Sequence, residues 1–315
     1  MPKDLPIAKD DFLKLTAGEI CEIVTQRGRP RVGVFLSDGN RRLVMMKTGL
    51  APNTDQFYQE YARLFLSNFR NVLEIFFSHG LNTLFFPLLG PSLLERKNKF
   101  HELAIPIVFK ALFLSEDWHM FYRKKGIKIK VYGNLDQLKK IDPTGLNMTE
   151  GINSAIRETA SHEEHTLFLG FVSSNTIDNE MTRQIIEFYK SHQREPDYRE
   201  IVEAYYGEFI EHADFFISST KIAGINALPP LLSSNQTMMY YLIAPFFLAF
   251  NDETFRNILY DLIFLQPDKA IAEYDNDDFR SIEKLTEFYQ LHQNTIIGTG
   301  KRIGRIWVPD IKYHS

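Results

Sequence analysis

Apolar positions in this chain switch repeatedly between two spacings. Short β-branched and aromatic runs at 32–36, 84–89, 127–132, 166–172 and 214–218 are too brief for helices and predict buried strands. Between them, apolar residues recur every three to four positions. That spacing predicts helices over 11–27, 55–79, 105–123, 148–160, 178–192, 198–211 and 252–265. The helix over 55–79 is long and amphipathic, and Gly80 follows it as a stop. The stretch 236–249 is apolar and aromatic throughout and predicts one more helix, with Ser233, Ser234 and Asn235 read as its caps.

Strands alternating with helices predict an α/β fold, with a central, mostly parallel sheet flanked by helices. No repeat, low-complexity tract or linker divides residues 1–315, so a single domain is expected. The segment 266–315 is more polar, and its end carries Gly298, Gly300 and Gly304. It is expected as an excursion folding back over the site.

Composition narrows the classes. The chain has 36 basic and 40 acidic residues, a net charge of −4, which argues against a general nucleic-acid surface but leaves a local anion site open. With one cysteine, Cys21, neither an intrachain disulfide nor a cysteine-based zinc cluster can form. Residues 1–11 are polar and charged, unlike a secretory signal, and no apolar run is long enough to span a bilayer. The expected location is cytoplasmic. Aromatic residues reach 13%, including 26 Phe and 14 Tyr. That content serves either an aromatic core or ring faces sheltering a greasy or cationic ligand.

The chemistry concentrates where the first strand breaks. After Phe35 and Leu36 come Ser37, Asp38, Gly39, Asn40, Arg41 and Arg42. This places a carboxylate, backbone N–H groups and two guanidiniums at the carboxyl end of a strand, where open α/β sheets bind ligands. The set suits a diphosphate: N–H groups and arginines for its oxygens, the carboxylate for a metal or a proton. The competing structural reading makes Asp38 an Asx-turn cap and the arginines a solvated helix start.

A strand, then Asp-Gly-Asn, then arginine resembles the cis-prenyltransferases of the undecaprenyl diphosphate synthase type. Gly133-Asn134-Leu135 after the third strand, the strand at 166–171 and the strand at 214–217 line up in the same order. The resemblance implies a prenyl diphosphate substrate, Mg²⁺ as cofactor with Asp38 as its ligand, and a homodimer. It also implies association with membranes through the lipid substrate. One departure stands out. Where that family carries an Arg-rich signature with Gly-Glu for isopentenyl diphosphate, this chain has residues 218–226, Ser-Ser-Thr-Lys-Ile-Ala-Gly-Ile-Asn, without arginine or glutamate. An enzyme retaining only the ionising half cleaves an allylic diphosphate without extending it.

Asp38-x-x-Arg41-Arg42, Leu93-Leu94-Glu95-Arg96, Tyr205-Tyr206-Gly207-Glu208, Pro230 to Ser234, Ile258 to Asp261 and Gly298-x-Gly300 ahead of Ile306-Trp307 resemble a narrower group. These are the diterpene synthases of the tuberculosinol synthase type, built on the cis-prenyltransferase fold. This resemblance implies Asp38 and Tyr61 as catalytic residues. It implies diphosphate binding by Arg41 and Arg42, to which the turn itself adds the backbone N–H groups of Gly39 and Asn40, and the wider cis-prenyltransferase resemblance adds Ser233 and Ser234 as further candidates. A second tyrosine expected in the cavity falls at Phe100, which lacks the hydroxyl. The expected reaction ionises a linear or bicyclic C20 prenyl diphosphate and quenches the cation with water or a nucleoside. The alternatives are a short-chain cis-prenyltransferase using isopentenyl diphosphate, or a non-catalytic partner subunit.

Three further patterns carry structural readings. Asp275-Asn276-Asp277-Asp278 fits an Asp-x-Asp-Asp pattern but lies in a polar stretch ahead of a helix. Asn251-Asp252-Glu253 reads as a helix start. His162 and His165 offer two ligands, too few for a zinc site.

Overall fold

The computed structural model describes residues 7–90, 93, 99–140, 147–172, 176–219, 229–266, 282–304 and 306–309. Six parallel strands form its central sheet, in the order β3-β4-β2-β1-β5-β6. They are β1 (Val32–Phe35), β2 (Thr83–Leu89), β3 (Ile127–Gly133), β4 (His165–Phe171), β5 (Phe215–Ser219) and β6 (Met238–Leu242). The five expected strands therefore form, and the sixth comes from the stretch read as a helix. Residues 238–242 lie parallel to β5, Phe215 opposite Met238 and Ser219 opposite Leu242. Pairing along an open sheet edge overrides a helix reading that rested on apolar content alone.

One face of the sheet is covered by α3 (Asn40–Thr48), α4 (Asp55–Ser78), α5 (Phe100–Leu114) and α7 (Met148–Thr159), all packed into the larger core. The other face carries a smaller core in which Val34, Phe85, Phe168 and Phe216 meet Val202 and Tyr206 of α9 (Tyr198–Tyr206). Helix α6 (Glu116–Lys124) joins the larger core through Trp118, Phe121 and Tyr122, and α8 (Thr176–His192) lies beside α9 and β3.

Two expected helices divide at capping residues. The helix over 11–27 splits into α1 (Lys9–Phe12) and α2 (Ala17–Arg27), because Thr16 forms a capping box with Glu19. The helix over 105–123 splits at Ser115, whose hydroxyl accepts from the Trp118 N–H. The helix beginning at Tyr198 stops at Gly207, which has φ 78°, rather than running to 211. After β6 come α10 (Phe246–Ala249) and α11 (Asp252–Tyr260), the latter continued by a π turn to Leu265. Helix α12 (Ile282–His292) precedes a hairpin of β7 (Gly300–Ile303) and β8 (Ile306–Pro309).

Two contacts fix β1 in the sheet. Gly33 is required because a Cβ there would lie 2.4 Å from the Phe215 ring. The buried Asp214 carboxylate accepts from Arg29 Nε (2.6 Å) and from the Arg31 and Val32 N–H groups (2.7 and 2.9 Å), tying the start of β1 to β5. The chain runs from β1 to β2 on one side and later returns to β5 on the other. The gap between the ends of β1 and β5 is thus the topological switch point of the sheet.

Candidate functional site

Asp38 sits at that switch point. Its backbone is pinned by the end of β5 and by the segment after β6. The Asp38 N–H donates to Ser219 Oγ (3.2 Å), and the Ser219 hydroxyl donates back to the Asp38 carbonyl (3.1 Å). The same carbonyl accepts from the Phe246 N–H (3.0 Å), just beyond β6. Gly39 follows with φ 82°, a conformation glycine adopts without strain, and turns the chain into α3.

The amino end of α3 carries no side-chain cap, so the N–H groups of its first turn aim outward toward the loop. Asp38 Oδ1 accepts from the Gly39 N–H at 2.6 Å, the Asx geometry of the structural reading. Its Oδ2 lies 4.0 Å from Arg42 Nη2, an ion pair without a short hydrogen bond. The Asp38 side chain is 61% exposed and that of Arg42 is 26% exposed, while Arg41 is exposed. One turn therefore gathers Asp38, Gly39, Asn40, Arg41 and Arg42, and its carboxylate and guanidiniums are reachable from solvent.

Tyr61 lies in a different environment. It lines a narrow apolar cleft, part of it open to solvent. The cleft is walled by Phe65 of α4, Leu88 and Leu89 of β2, and Phe100, Ala104 and Val108 of α5. The Tyr61 ring stacks on Phe65 and meets Phe100 edge-on, at centroid distances of 6.4 and 5.2 Å. A bulge in β2 between Pro87 and Leu89 accompanies this wall, since proline cannot donate to the ladder.

Aromatic rings connect the two places. Phe35 at the end of β1 stacks on Phe246 (4.9 Å) and Phe86 (4.5 Å). Phe247, next to Phe246, meets Phe65 at 5.7 Å. The helix α10 that binds the Asp38 carbonyl thus also reaches the cleft. Most of the aromatic content serves the core: Phe35, Phe69, Phe76, Phe85, Phe86 and Phe168 are all fully buried. Among the described residues, Tyr61, Phe65, Phe100 and Phe109 are aromatic residues that line the cleft.

Ser233 and Ser234 are misplaced for the role expected of them. They precede β6 at its amino end, where Thr237 donates to the Ala213 carbonyl (2.8 Å) ahead of β5. Asp38 is held at the carboxyl end. The length of β6, roughly 13 Å at about 3.3 Å per residue, separates the two. Ser234 instead receives the Gln236 N–H in a turn (3.2 Å) and caps no helix.

Other candidates resolve as structure. Tyr206 donates to the Pro230 carbonyl (2.7 Å) inside the smaller core, and Asn251 caps α11 by accepting from the Thr254 N–H (2.8 Å). His162 and His165 bond different carbonyls, those of Ile127 and Leu81. Residues 94–96, the stretch 220–226 and the tetrad 275–278 lie outside the described residues. The hairpin β7–β8 pairs with itself, and β7 is exposed along its length.

Sequence reasoning missed Ser219 and Tyr241. Ser219 carries no local signal beyond a small polar residue at a strand end. Tyr241 was hidden by reading 236–249 as a helix. As a strand, the same residues send Tyr240 and Tyr241 to opposite faces. Tyr240 donates to Asp261 at 2.5 Å, and Tyr241 faces away from it.

Among solved structures, the chain is similar to lavandulyl diphosphate synthase from Lavandula x intermedia in complex with dimethylallyl diphosphate. The TM-score is 0.56 at 13% identity, over 76% of this chain and 96% of that one. A probable undecaprenyl diphosphate synthase from Campylobacter jejuni gives 0.56 at 11% identity, over 78% and 99%. The fold is that of the cis-prenyltransferases. In sequence the chain is 28% identical over 301 residues to tuberculosinyl adenosine transferase from Mycobacterium tuberculosis (strain CDC 1551 / Oshkosh), covering 96% of this chain and 98% of that protein. It is also 28% identical to (+)-kolavelool synthase from Herpetosiphon aurantiacus, over 89% of each. No protein-family profile matches the chain.

Among the described residues no cluster of three or more His, Cys, Asp or Glu side chains forms a cage for a metal. Asp38 supplies one exposed carboxylate beside an uncapped helix end. That donor set fits Mg²⁺ in its usual manner on diphosphates, held by one carboxylate together with the substrate's own oxygens. No helix among the described residues is long and apolar enough to cross a membrane.

Proposed function

We propose that this protein is a diterpene synthase or terpenyl transferase that ionises a C20 prenyl diphosphate and releases pyrophosphate. The observation that carries the proposal is the pairing of one solvent-reachable Asp-Gly-Asn-Arg-Arg turn with an apolar cleft, joined through α10. Two curated relatives that it matches over most of its length are named tuberculosinyl adenosine transferase and (+)-kolavelool synthase.

In this reading the diphosphate lies over the amino end of α3. The first-turn N–H groups, Arg41 and Arg42 take its oxygens, and the isoprenoid tail enters the cleft beside Tyr61 and Phe65. Asp38 is the residue to hold Mg²⁺, which when bound supplies further charge neutralisation to the departing diphosphate. The allylic C–O bond breaks with its electron pair on the diphosphate oxygen. Arg41, Arg42 and the α3 N–H groups stabilise that charge where it develops. Ring faces of Tyr61, Phe65 and Phe100 shelter the cation. Water or another nucleophile adds, and the Asp38 carboxylate accepts the proton it loses.

Steady-state pyrophosphate release from linear and bicyclic C20 diphosphates tests the reading, with and without isopentenyl diphosphate. Release without isopentenyl diphosphate, abolished in Asp38→Ala and Arg42→Ala, is expected. Elongated products that require isopentenyl diphosphate would overturn it in favour of a short-chain cis-prenyltransferase.

A further inference from the structure

The polar bonding around Asp38 is incomplete in a specific way. Among the described residues, five buried side-chain atoms have no hydrogen-bond partner, and two belong to this strand end: Asn40 Oδ1 and Tyr241 Oη. Buried hydroxyls are ordinarily bonded, so an exception beside a candidate ligand site indicates a partner that arrives with the ligand.

Tyr241 is held between the two tethers of Asp38. It pairs with Ser218 in the β5–β6 register, next to Ser219, and Phe246 follows five residues later. Its phenol is close enough to feel the charges of both Arg42 and Asp38, yet bonds neither. Arg42 and Asp38 themselves stand 4.0 Å apart, beyond hydrogen-bond range. The buried phenol thus lies within electrostatic reach of the Arg42–Asp38 ion pair and takes no part in it.

We propose that Tyr241 is a further diphosphate-binding residue, donating its phenol O–H to the group held by Arg41 and Arg42. The proposal rests on the diphosphate reading of the turn. An anion that draws Arg42 off Asp38 enters between the guanidinium and the phenol, and gives the buried hydroxyl its missing acceptor. As the allylic C–O bond breaks, the electron pair stays on the diphosphate oxygen, and the hydrogen bond from Tyr241 strengthens toward that charge. The phenol keeps its proton. Burial pushes the Tyr241 hydroxyl up, Arg42 opposes this and Asp38 adds to it. At neutral pH the group is a donor and not a base, which leaves proton acceptance to Asp38.

Titration calorimetry of Tyr241→Phe with inorganic pyrophosphate and Mg²⁺, beside a thermal melt, tests the assignment. The variant is expected to bind pyrophosphate about 10- to 100-fold more weakly, the range for a hydrogen bond to a charged group. Its melting temperature is expected to equal or exceed that of the wild type, because the lost hydroxyl bonds nothing in the free protein. Pyrophosphate affinity within twofold of wild type would overturn the proposal. So would a wild type that does not bind pyrophosphate, or a melting temperature that falls along with affinity. The reaction itself can fail separately. If the wild type binds pyrophosphate in a Tyr241-dependent way but turns over no C20 diphosphate, the assignment stands and the terpene reading falls. If it turns over normally with Tyr241→Phe unchanged, the reverse holds.

Discussion

Ser219→Ala removes both hydrogen bonds between the end of β5 and the backbone of Asp38, and nothing larger than an oxygen atom. Ser219 is 1% exposed, so water does not readily replace its hydroxyl. The two bonds are not equal. The Asp38 carbonyl keeps its second donor, the Phe246 N–H, and loses about 1 kcal/mol. The Asp38 N–H loses the Ser219 hydroxyl as its acceptor, which costs about 1 kcal/mol more. The sum, about 2 kcal/mol, falls on the turn that orients Asp38 and the amino end of α3. If it all appears as loss of the competent arrangement, the rate of pyrophosphate release drops up to about 30-fold. Partial rehydration reduces this to about fivefold. The same energy lowers the melting temperature by about 4 °C if the turn unfolds with the rest of the molecule. Stopped or steady-state phosphate-coupled assays read the first quantity, and a thermal melt reads the second. A variant within twofold of wild type in rate would refute the claim that β5 positions the carboxylate proposed as catalytic. A lower melt with an unchanged rate would make Ser219 a strand-end fastener alone.

Val108→Phe adds a ring to the wall of the cleft beside Tyr61. Displacing two methylenes of a bound tail, at about 0.8 kcal/mol each, lowers kcat/KM for C20 substrates more than about tenfold while leaving C5 and C10 diphosphates less affected; equal losses for all chain lengths would place the tail elsewhere. Asp214→Ala leaves Arg29 Nε and the N–H groups of Arg31 and Val32 without their shared acceptor, so a loss of about 3 kcal/mol in denaturant unfolding is expected, and a change under 1 kcal/mol would contradict the role given to it. Burial holds His79 and His165 below the usual imidazole range, against opposing contributions from the Ile75 and Leu81 carbonyls and nearby carboxylates. Their neutral forms contribute stability that is complete above the unfolded value of about 6.5 and is lost as pH falls below it toward the lower folded values. Imidazole NMR titrations with midpoints at or above 6.5 for both would remove that contribution.

The sequence made the strand-to-helix switches readable because five strands and the 24-residue α4 carry strong, consistent patterns. It also made the Asp38 turn readable, since a buried run ending in Ser-Asp-Gly-Asn leaves few local alternatives. What it concealed was set by partners far along the chain. Residues 238–242 are apolar enough for either state, and only pairing with β5 decides for a strand. That one difference moves Ser233 and Ser234 to the wrong end of the sheet and brings Tyr241 to the right one. Helix breaks at Thr16 and Ser115 were present in the sequence as caps, but apolar spacing on both sides masked them. The absence of a hydroxyl at Phe100 was legible. Its consequence is now concrete: Phe100 is 3% exposed and meets Tyr58 and Tyr61 edge-on, so an apolar ring stands in the cleft wall where a hydroxyl was expected.

The most direct test is product analysis by mass spectrometry after the wild type is supplied with linear and bicyclic C20 diphosphates, with and without adenosine, and with isopentenyl diphosphate in parallel. The account predicts a C20 product and stoichiometric pyrophosphate without isopentenyl diphosphate, both lost in Asp38→Ala. A longer prenyl diphosphate formed only with isopentenyl diphosphate, or no pyrophosphate from any C20 substrate, would contradict it.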